Sequence, residues 1–489
     1  MNAICVAVVG LAMLCSMATG AHGQTVSSED AVGRGRALYQ SVTALAGPLH
    51  VGGTRLPASA GACVNCHGAR GQGGIEAGVK APGISWRLLT QPNADRPAYE
   101  SAPHILQAIE GGLNPYGRRL ALPMPTYALT EAEREGLLAY LQVIGTEADQ
   151  AQGVSPQSLK IGAVLPLRGS GRSRGERIHA GLRERFAAIN RAGGIYGRRL
   201  ELIVEDAGTG SDGVVYAVDR IIEQHRVFAL VGSFLPELPA ASLGTIQRHR
   251  TPVVATLGVP LHEATARDLT YLLPSIEWQV QQLMREVRAH CDIGRGLHVL
   301  HGPIPGLAEI IQATIRPAVG DADALVHVVR SAADIPAALQ KPIRGTVIAL
   351  ASNETVQATR SYLQERTTPT CLATLATFSG LPLALSDDSP ENPALLREVV
   401  GLPMSLPAAS VEVEGKDVWT VLADVSARIL AEALSRTGRV VDYEAFDRAL
   451  HSLQGFEPIS GVSVKWTSHH RHGLADAYIW RGVSHVRTE

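Results

Sequence analysis

Hydrophobic positions along this chain follow two different spacings, one before and one after a short stretch rich in small and polar residues at 147–158. Ahead of that stretch the clearest pattern is helical. Thr130-Glu131-Ala132-Glu133 is a capping box, and the apolar residues behind it predict an amphipathic helix running to about Ile144. Beyond it, short apolar runs alternate with amphipathic segments. Strands are predicted at 159–167, 199–205, 228–232 and 252–257, with helices at 174–191, 213–224 and 239–248 between them. After Pro274 the alternation restarts, with strands near 297–301, 325–329, 347–351 and 372–378 interleaved with helices. Strands alternating with helices of this length predict parallel sheets covered on both faces, here as two doubly wound lobes.

The first residues follow neither pattern. An apolar run from Ile4 to Met17 leads to Ala21-His22-Gly23, which reads as a cleaved export signal over 1–23 and is too short for a membrane span. Leu14 before Cys15 disfavours a lipoprotein anchor. With 489 residues, 45% apolar composition and a formal charge of −2, the chain has material for two or three globular units. It is not basic enough to suggest nucleic acid, and no second hydrophobic stretch suggests a membrane span. A periplasmic protein is expected.

The sharpest chemical signal is Cys63-Val64-Asn65-Cys66-His67, two thiols and an imidazole at the spacing of a covalent c-type haem site. Each thiol adds across a haem vinyl group, and the adjacent histidine reaches the iron. No second cysteine pair follows at zinc spacing. One covalent haem c is therefore expected, on Cys63 and Cys66, with His67 as an axial ligand. Met124 is the methionine between the motif and the linker, in the Pro-stiffened loop Leu122-Pro123-Met124-Pro125. It is expected as the second axial ligand, with His104 and His50 as alternatives. Of six cysteines, Cys5 and Cys15 leave with the signal, so Cys291 and Cys371 remain, and a disulfide between them is left open.

These residues resemble a class I cytochrome c domain over 28–146: a first helix with Gly35 and Tyr39, the haem motif, the Met-Pro loop, and a last helix with Tyr140. The resemblance implies a small all-α domain in which Pro82, in Lys80-Ala81-Pro82-Gly83, orients the proximal histidine through its carbonyl. The long stretch from Gly47 to Ala62 departs from the family and suggests a surface loop.

Residues 159–489 resemble a type I periplasmic binding protein, nearest the leucine, isoleucine, valine and amide-binding group. The segments that carry the likeness are 159–167, Asn190-Arg191-Ala192-Gly193-Gly194-Ile195-Tyr196-Gly197 and Val204-Glu205-Asp206. It implies an α/β fold of two doubly wound lobes, lobe one about 159–274 and lobe two about 275–402, each completed by part of the C-terminal region. The small-molecule ligand is then expected in the interlobe cleft. Amino-acid receptors of this kind hold the ligand carboxylate with serines and threonines after the third and fourth strands. Here those segments offer Ser233, Phe234, Leu235 and Glu237, then Thr256 and Gly258. A single serine beside Glu237 is a poor carboxylate site, so an uncharged, fairly apolar solute is expected, or a cleft kept only as a scaffold.

The combined expectation is a non-enzymatic periplasmic cytochrome transferring single electrons, with a dehydrogenase or terminal electron acceptor as redox partner. The alternative is the solute receptor of a transporter with an ABC permease, for amino-acid-like or amide solutes, carrying an accessory haem. A peroxidase would need an open iron position, which Met124 argues against. Two further motifs are set aside: Gly169-Ser170-Gly171-Arg172-Ser173-Arg174-Gly175 is expected to be a cleft loop rather than a phosphate cradle, and His469-His470-Arg471-His472-Gly473 a solvated turn rather than a metal site.

Overall fold

The computed structural model describes residues 28–488, apart from 41–44, 58–60, 77, 93–96, 147–148, 209, 264–265, 267, 320–323, 341–344, 366–369, 380–395, 404–415, 467–471, 475–476 and 482–483. The segment read as an export signal lies outside the described residues. The chain divides into two compact units, Met1–Asp149 and Gln150–Glu489.

In the first unit, α1 (Ser28–Tyr39) packs across α5 (Glu131–Val143), with α2 (Cys63–His67), α3 (Trp86–Leu89) and α4 (Ala102–Gly111) between them in sequence. The capping box closes as the sequence predicts: the Thr130 side chain accepts from the Glu133 N–H, and the Glu133 carboxylate accepts from the Thr130 N–H. The unit is helical with small strands added. β1 (Leu49–Val51) pairs antiparallel with β2 (Thr54–Leu56) and with β5 (Thr126–Tyr127), and β3 (Gly74–Glu76) with β4 (Val79–Ala81). The stretch 47–62, expected to be a surface loop, thus contains a hairpin, and Leu49 within it is fully buried in the core. Strands this short escape a periodicity reading.

In the second unit, β6 (Ser158–Leu165), β7 (Arg199–Asp206), β8 (Ala229–Val231), β9 (Val253–Thr256) and β10 (Leu269–Tyr271) form a parallel sheet in the order β10-β9-β8-β6-β7. Most of β6 is buried, as a central parallel strand covered on both faces requires. α6 (Arg172–Arg191) lies on one face; α7 (Gly210–Asp219) and α8 (Ala240–His249) cover the other. The turn from α6 into β7 has positive φ at Gly193, Gly194 and Gly197.

The second sheet opens after α9 (Ile276–His290), whose N-cap Ser275 accepts from the Trp278 N–H. Its parallel strands are β11 (Leu297–His301), β12 (Ala324–Val328), β13 (Thr346–Leu350), β14 (Thr370–Leu375) and β15 (Leu396–Leu402). Between them run α10 (Leu307–Ile310), α11 (Arg316–Val319), α12 (Ile335–Ala338), α13 (Asn353–Gln364) and α14 (Ala376–Ser379). A disulfide joins Cys291, at the end of α9, to Cys371 in β14, with Cα atoms 5.7 Å apart.

The chain then returns to the first lobe. α15 (Val418–Thr437) packs beside α6, followed by α16 (Tyr443–His451), β16 (Phe456–Ile459) and β17 (Val462–Val464). It crosses back once more, and β18 (Ala477–Arg481), antiparallel to β15, and β19 (Ser484–Thr488), antiparallel to β18, extend the second sheet to the order β12-β11-β13-β14-β15-β18-β19. Three strands of chain thus connect the lobes.

Of the motif at 469–473, residues 469–471 lie outside the described residues, while His472 and Gly473 are buried rather than solvated. The Gly473 and Leu474 N–H groups donate to the carbonyls of Tyr271 and Leu272, which pins the segment along β10. His472 is consequently 2% exposed, with Nδ1 3.0 Å from a Glu263 carboxylate oxygen and its ring 5.4 Å from that of Trp278. A tertiary pairing, invisible in a polar local sequence, buries it.

Candidate functional site

Two groups of residues stand out, one in each unit. In the first, Cys63, Cys66 and His67 occupy positions i, i+3 and i+4 of α2, so all three lie along one face of a short helix. Neither cysteine is in a disulfide, and both are half-buried. Burial pushes the Cys63 thiol up to about 11, so it is protonated at neutral pH. Both ends of the motif are tied down by tyrosines. The Tyr127 hydroxyl donates to the Gly61 carbonyl at 3.0 Å, and the Tyr39 hydroxyl to the Gly68 carbonyl at 2.6 Å.

His67 is buried, and its Nδ1 lies 2.8 Å from the Pro82 carbonyl oxygen. A carbonyl only accepts, so Nδ1 carries the proton and Nε2 keeps its lone pair. Burial lowers the imidazole's proton affinity, opposed by the Pro82 hydrogen bond, and the ring is therefore neutral at physiological pH. Two thiols at vinyl spacing beside a neutral imidazole, oriented by a second-layer carbonyl, are a donor set that suits a covalently held haem.

Met124 sits in the loop before β5, half-buried, and packs against the same apolar core as Cys63, Val64, Ile84 and Trp86. His50 lies exposed on β1. His104, on α4, is half-buried, and its Nδ1 has no hydrogen-bond partner among the described residues.

The second group lies at the carboxyl ends of the lobe-one strands, the usual ligand edge of a doubly wound sheet. Ser233 is fully buried, its Oγ accepting from the Val164 N–H at 3.0 Å. Leu235 is also fully buried and belongs to the core beneath α7 and α8, so it has no surface to present to a solute. Gly258 is buried against the same loop; a Cβ there would stand 2.3 Å from the Pro236 nitrogen. Thr256 is fully buried at the end of β9, its hydroxyl without a hydrogen-bond partner among the described residues. Glu237 is exposed, and Phe234 half-buried. Of these residues, Phe234 is the one whose ring meets new partners.

Those partners are Arg174, in the first turn of α6, and Trp419, in the first turn of α15. The Phe234 and Trp419 rings meet edge to face with centroids 5.8 Å apart, and the Arg174 guanidinium carbon lies 4.6 Å from one centroid and 4.7 Å from the other. The two helices run side by side in the same direction. Arg185 Nε donates to Asp424 at 2.5 Å, and, one turn nearer the N-termini, a Cβ on Gly181 would meet the Thr420 carbonyl at 2.6 Å. Both first turns therefore reach the same edge of the sheet. Trp419 lies far along the chain from the other cleft segments, and its local signal is only Asp417, which caps α15 by accepting from the Trp419 and Thr420 N–H groups.

Comparison with known proteins fits this division. Residues 53–144 match the cytochrome c family model, and residues 158–295 match a periplasmic binding protein model. No curated protein matches the chain. Among solved structures, an ABC transporter substrate-binding protein from Sphaerobacter thermophilus is 17% identical with a TM-score of 0.50, over 68% of this chain and 96% of that one. A substrate-binding periplasmic protein from Ralstonia solanacearum is 20% identical (TM-score 0.48, 66% and 97%), and a leucine-binding protein from Thermotoga maritima 15% identical (TM-score 0.49, 68% and 98%). At such identities the likeness is one of fold. The chain carries a cytochrome c domain followed by an α/β unit with the type I periplasmic binding protein fold.

Proposed function

We propose that this chain, a cytochrome c domain joined to a periplasmic binding protein domain, works in the periplasm as a one-electron carrier that also holds a small organic solute between its lobes. The observation that supports electron carriage is the neutral, buried His67 ring, oriented through Nδ1 by Pro82 with Nε2 left to face a metal. Cys63 and Cys66 would hold the haem, His67 and Met124 would ligate its iron, and the haem, when bound, would supply one-electron chemistry. The protein's own part is to orient His67, to keep the site in an apolar core, and to offer Met124 as a second donor that would leave no open position for a substrate. The redox partner is a periplasmic dehydrogenase. A second reading, the receptor of an ABC permease carrying an accessory haem, is favoured by the two complete lobes and their three connections.

Magnetic circular dichroism of the holo-protein tests the axial pair. Wild type is expected to show methionine ligation, and Met124→Ala to lose it and fall in reduction potential, since a methionine ligand favours the ferrous state. An unchanged Met124→Ala spectrum would remove Met124 from the site. Reduction of the haem by a turning-over quinoprotein dehydrogenase would support the carrier reading, and its absence would favour the receptor.

A further inference from the structure

Four arginines lie between Leu167 and Ile178, at the ligand edge of lobe one. Three are neutralised by carboxylates: Arg168 with Asp206 at 2.6 Å, Arg172 with Glu176 at 2.7 Å, and Arg177 with Asp417 at 3.5 Å. Arg174 is the exception. Among the described residues it has no ion pair and no hydrogen bond; its neighbours are the Phe234 and Trp419 rings, and its Nε is buried without a partner. Glu237, exposed farther along the Phe234 loop, makes no ion pair with it either. A guanidinium against two rings loses hydration but gains no counter-charge, and burial accordingly lowers its proton affinity. Such a group is complementary to an anion that can take two parallel N–H bonds.

We propose that Arg174 is the anion anchor of the interlobe cleft and that the solute is a monocarboxylate with a flat, apolar body, its carboxylate on the guanidinium and its body against the Phe234 and Trp419 side chains. The proposal rests on the receptor reading of the α/β unit and replaces the expectation of an uncharged solute, which came from the loops after β8 and β9 and from second-lobe segments low in charge. The loop after β8 supplies one ring and α15 the other; the charge comes from the helix after β6. A carboxylate paired this way is fully compensated, so the lone Ser233, already engaged by Val164, is not needed as a donor.

The test uses the full-length holo-protein and matched pairs of probes, benzoate with benzamide and hexanoate with hexanamide, titrated by isothermal calorimetry. Wild type is expected to bind at least one acid roughly 30-fold or more tightly than its amide, and Arg174→Gln to lose that preference. Arg174→Lys keeps the charge without the planar fork and is expected to fall between them. Far-ultraviolet circular dichroism and the haem spectrum report whether each variant is folded, and the acid-against-amide comparison in wild type needs no variant. Amides binding as tightly as acids, or full acid affinity in folded Arg174→Gln, would overturn the anchor while leaving a solute receptor in place. Binding of neither class would overturn both.

Discussion

At the scale of single residues, the haem motif depends on backbone contacts as much as on its own side chains. Gly73 has φ +81°, its N–H donates to the His67 carbonyl, and a Cβ there would stand 2.6 Å from the Ala81 carbonyl oxygen and 2.8 Å from the Pro82 carbonyl carbon. Gly73→Ala is therefore expected to push the Pro82 segment off His67. With His67 as the proposed iron ligand, a weaker hydrogen bond would make the imidazole a poorer donor, so the reduction potential should rise as the thermal midpoint falls by several degrees; an unchanged potential would show that the Pro82 carbonyl does not tune the haem. Glu133 is a second such residue. Its carboxylate accepts from the Ala46 N–H at 2.7 Å and the Thr130 N–H at 2.7 Å, tying the segment before β1 to α5. Burial alone would raise its pKa, but these hydrogen bonds prevail and hold it below the usual carboxylate value. A depressed carboxylate stabilises the fold above its unfolded pKa of about 4.3 and loses that contribution as pH falls through the lower folded value. Glu133→Gln should cost about 1–2 kcal/mol at neutral pH and converge with wild type in acid, as thermal melts across pH would show.

At the scale of elements, two helix pairs set the two sites. α1 crosses α5 at Gly35 and Gly136, where a Cβ on Gly35 would lie 1.9 Å from the Gly136 carbonyl oxygen. That close approach lets Tyr39 and Tyr140 meet edge to face, centroids 5.4 Å apart, and places Tyr39 against the end of the haem motif. Gly35→Ala should separate the helices and cost about 3 kcal/mol, whereas Gly33→Ala, two residues away with nothing within 4 Å, should be neutral or slightly stabilising. Haem absorbance followed on heating distinguishes them; equal midpoints would mean that the crossing is not tight. In the second unit, the parallel run of α6 and α15 is held by Asp424, which accepts from both Arg185 and Arg428. This pairing is what brings Arg174 and Trp419 to one edge.

At the scale of the whole molecule, the Cys291–Cys371 disulfide ties the end of a helix to a central strand across 80 residues. By loop-closure entropy it should contribute about 2–4 kcal/mol. A Cys291→Ser/Cys371→Ser variant is expected to unfold its α/β unit at lower temperature in calorimetry while the haem spectrum stays as in wild type. An unchanged midpoint would mean that the bridge adds nothing to the native fold.

The haem motif was legible in the chain because its chemistry is local: two thioethers and an axial imidazole require one short spacing, whatever surrounds it. The strands of both lobes were legible for a related reason, since a parallel strand covered on both faces must be apolar along most of its length, and β6, β11 and β13 came within about two residues of their expected bounds and β14 within about three. The small strands of the first unit, with two or three residues each, carry no period to read. Pro82 was reached through family resemblance, not through any pattern of its own. What only the tertiary structure decided is who meets whom across long separations: Gly473 beside Tyr271, Cys291 beside Cys371, and Trp419 returning from lobe two to form a corner with Phe234 around an unpaired Arg174. Local sequence sets propensity and covalent chemistry, whereas a cleft is built from the ends of elements whose neighbours are chosen by packing.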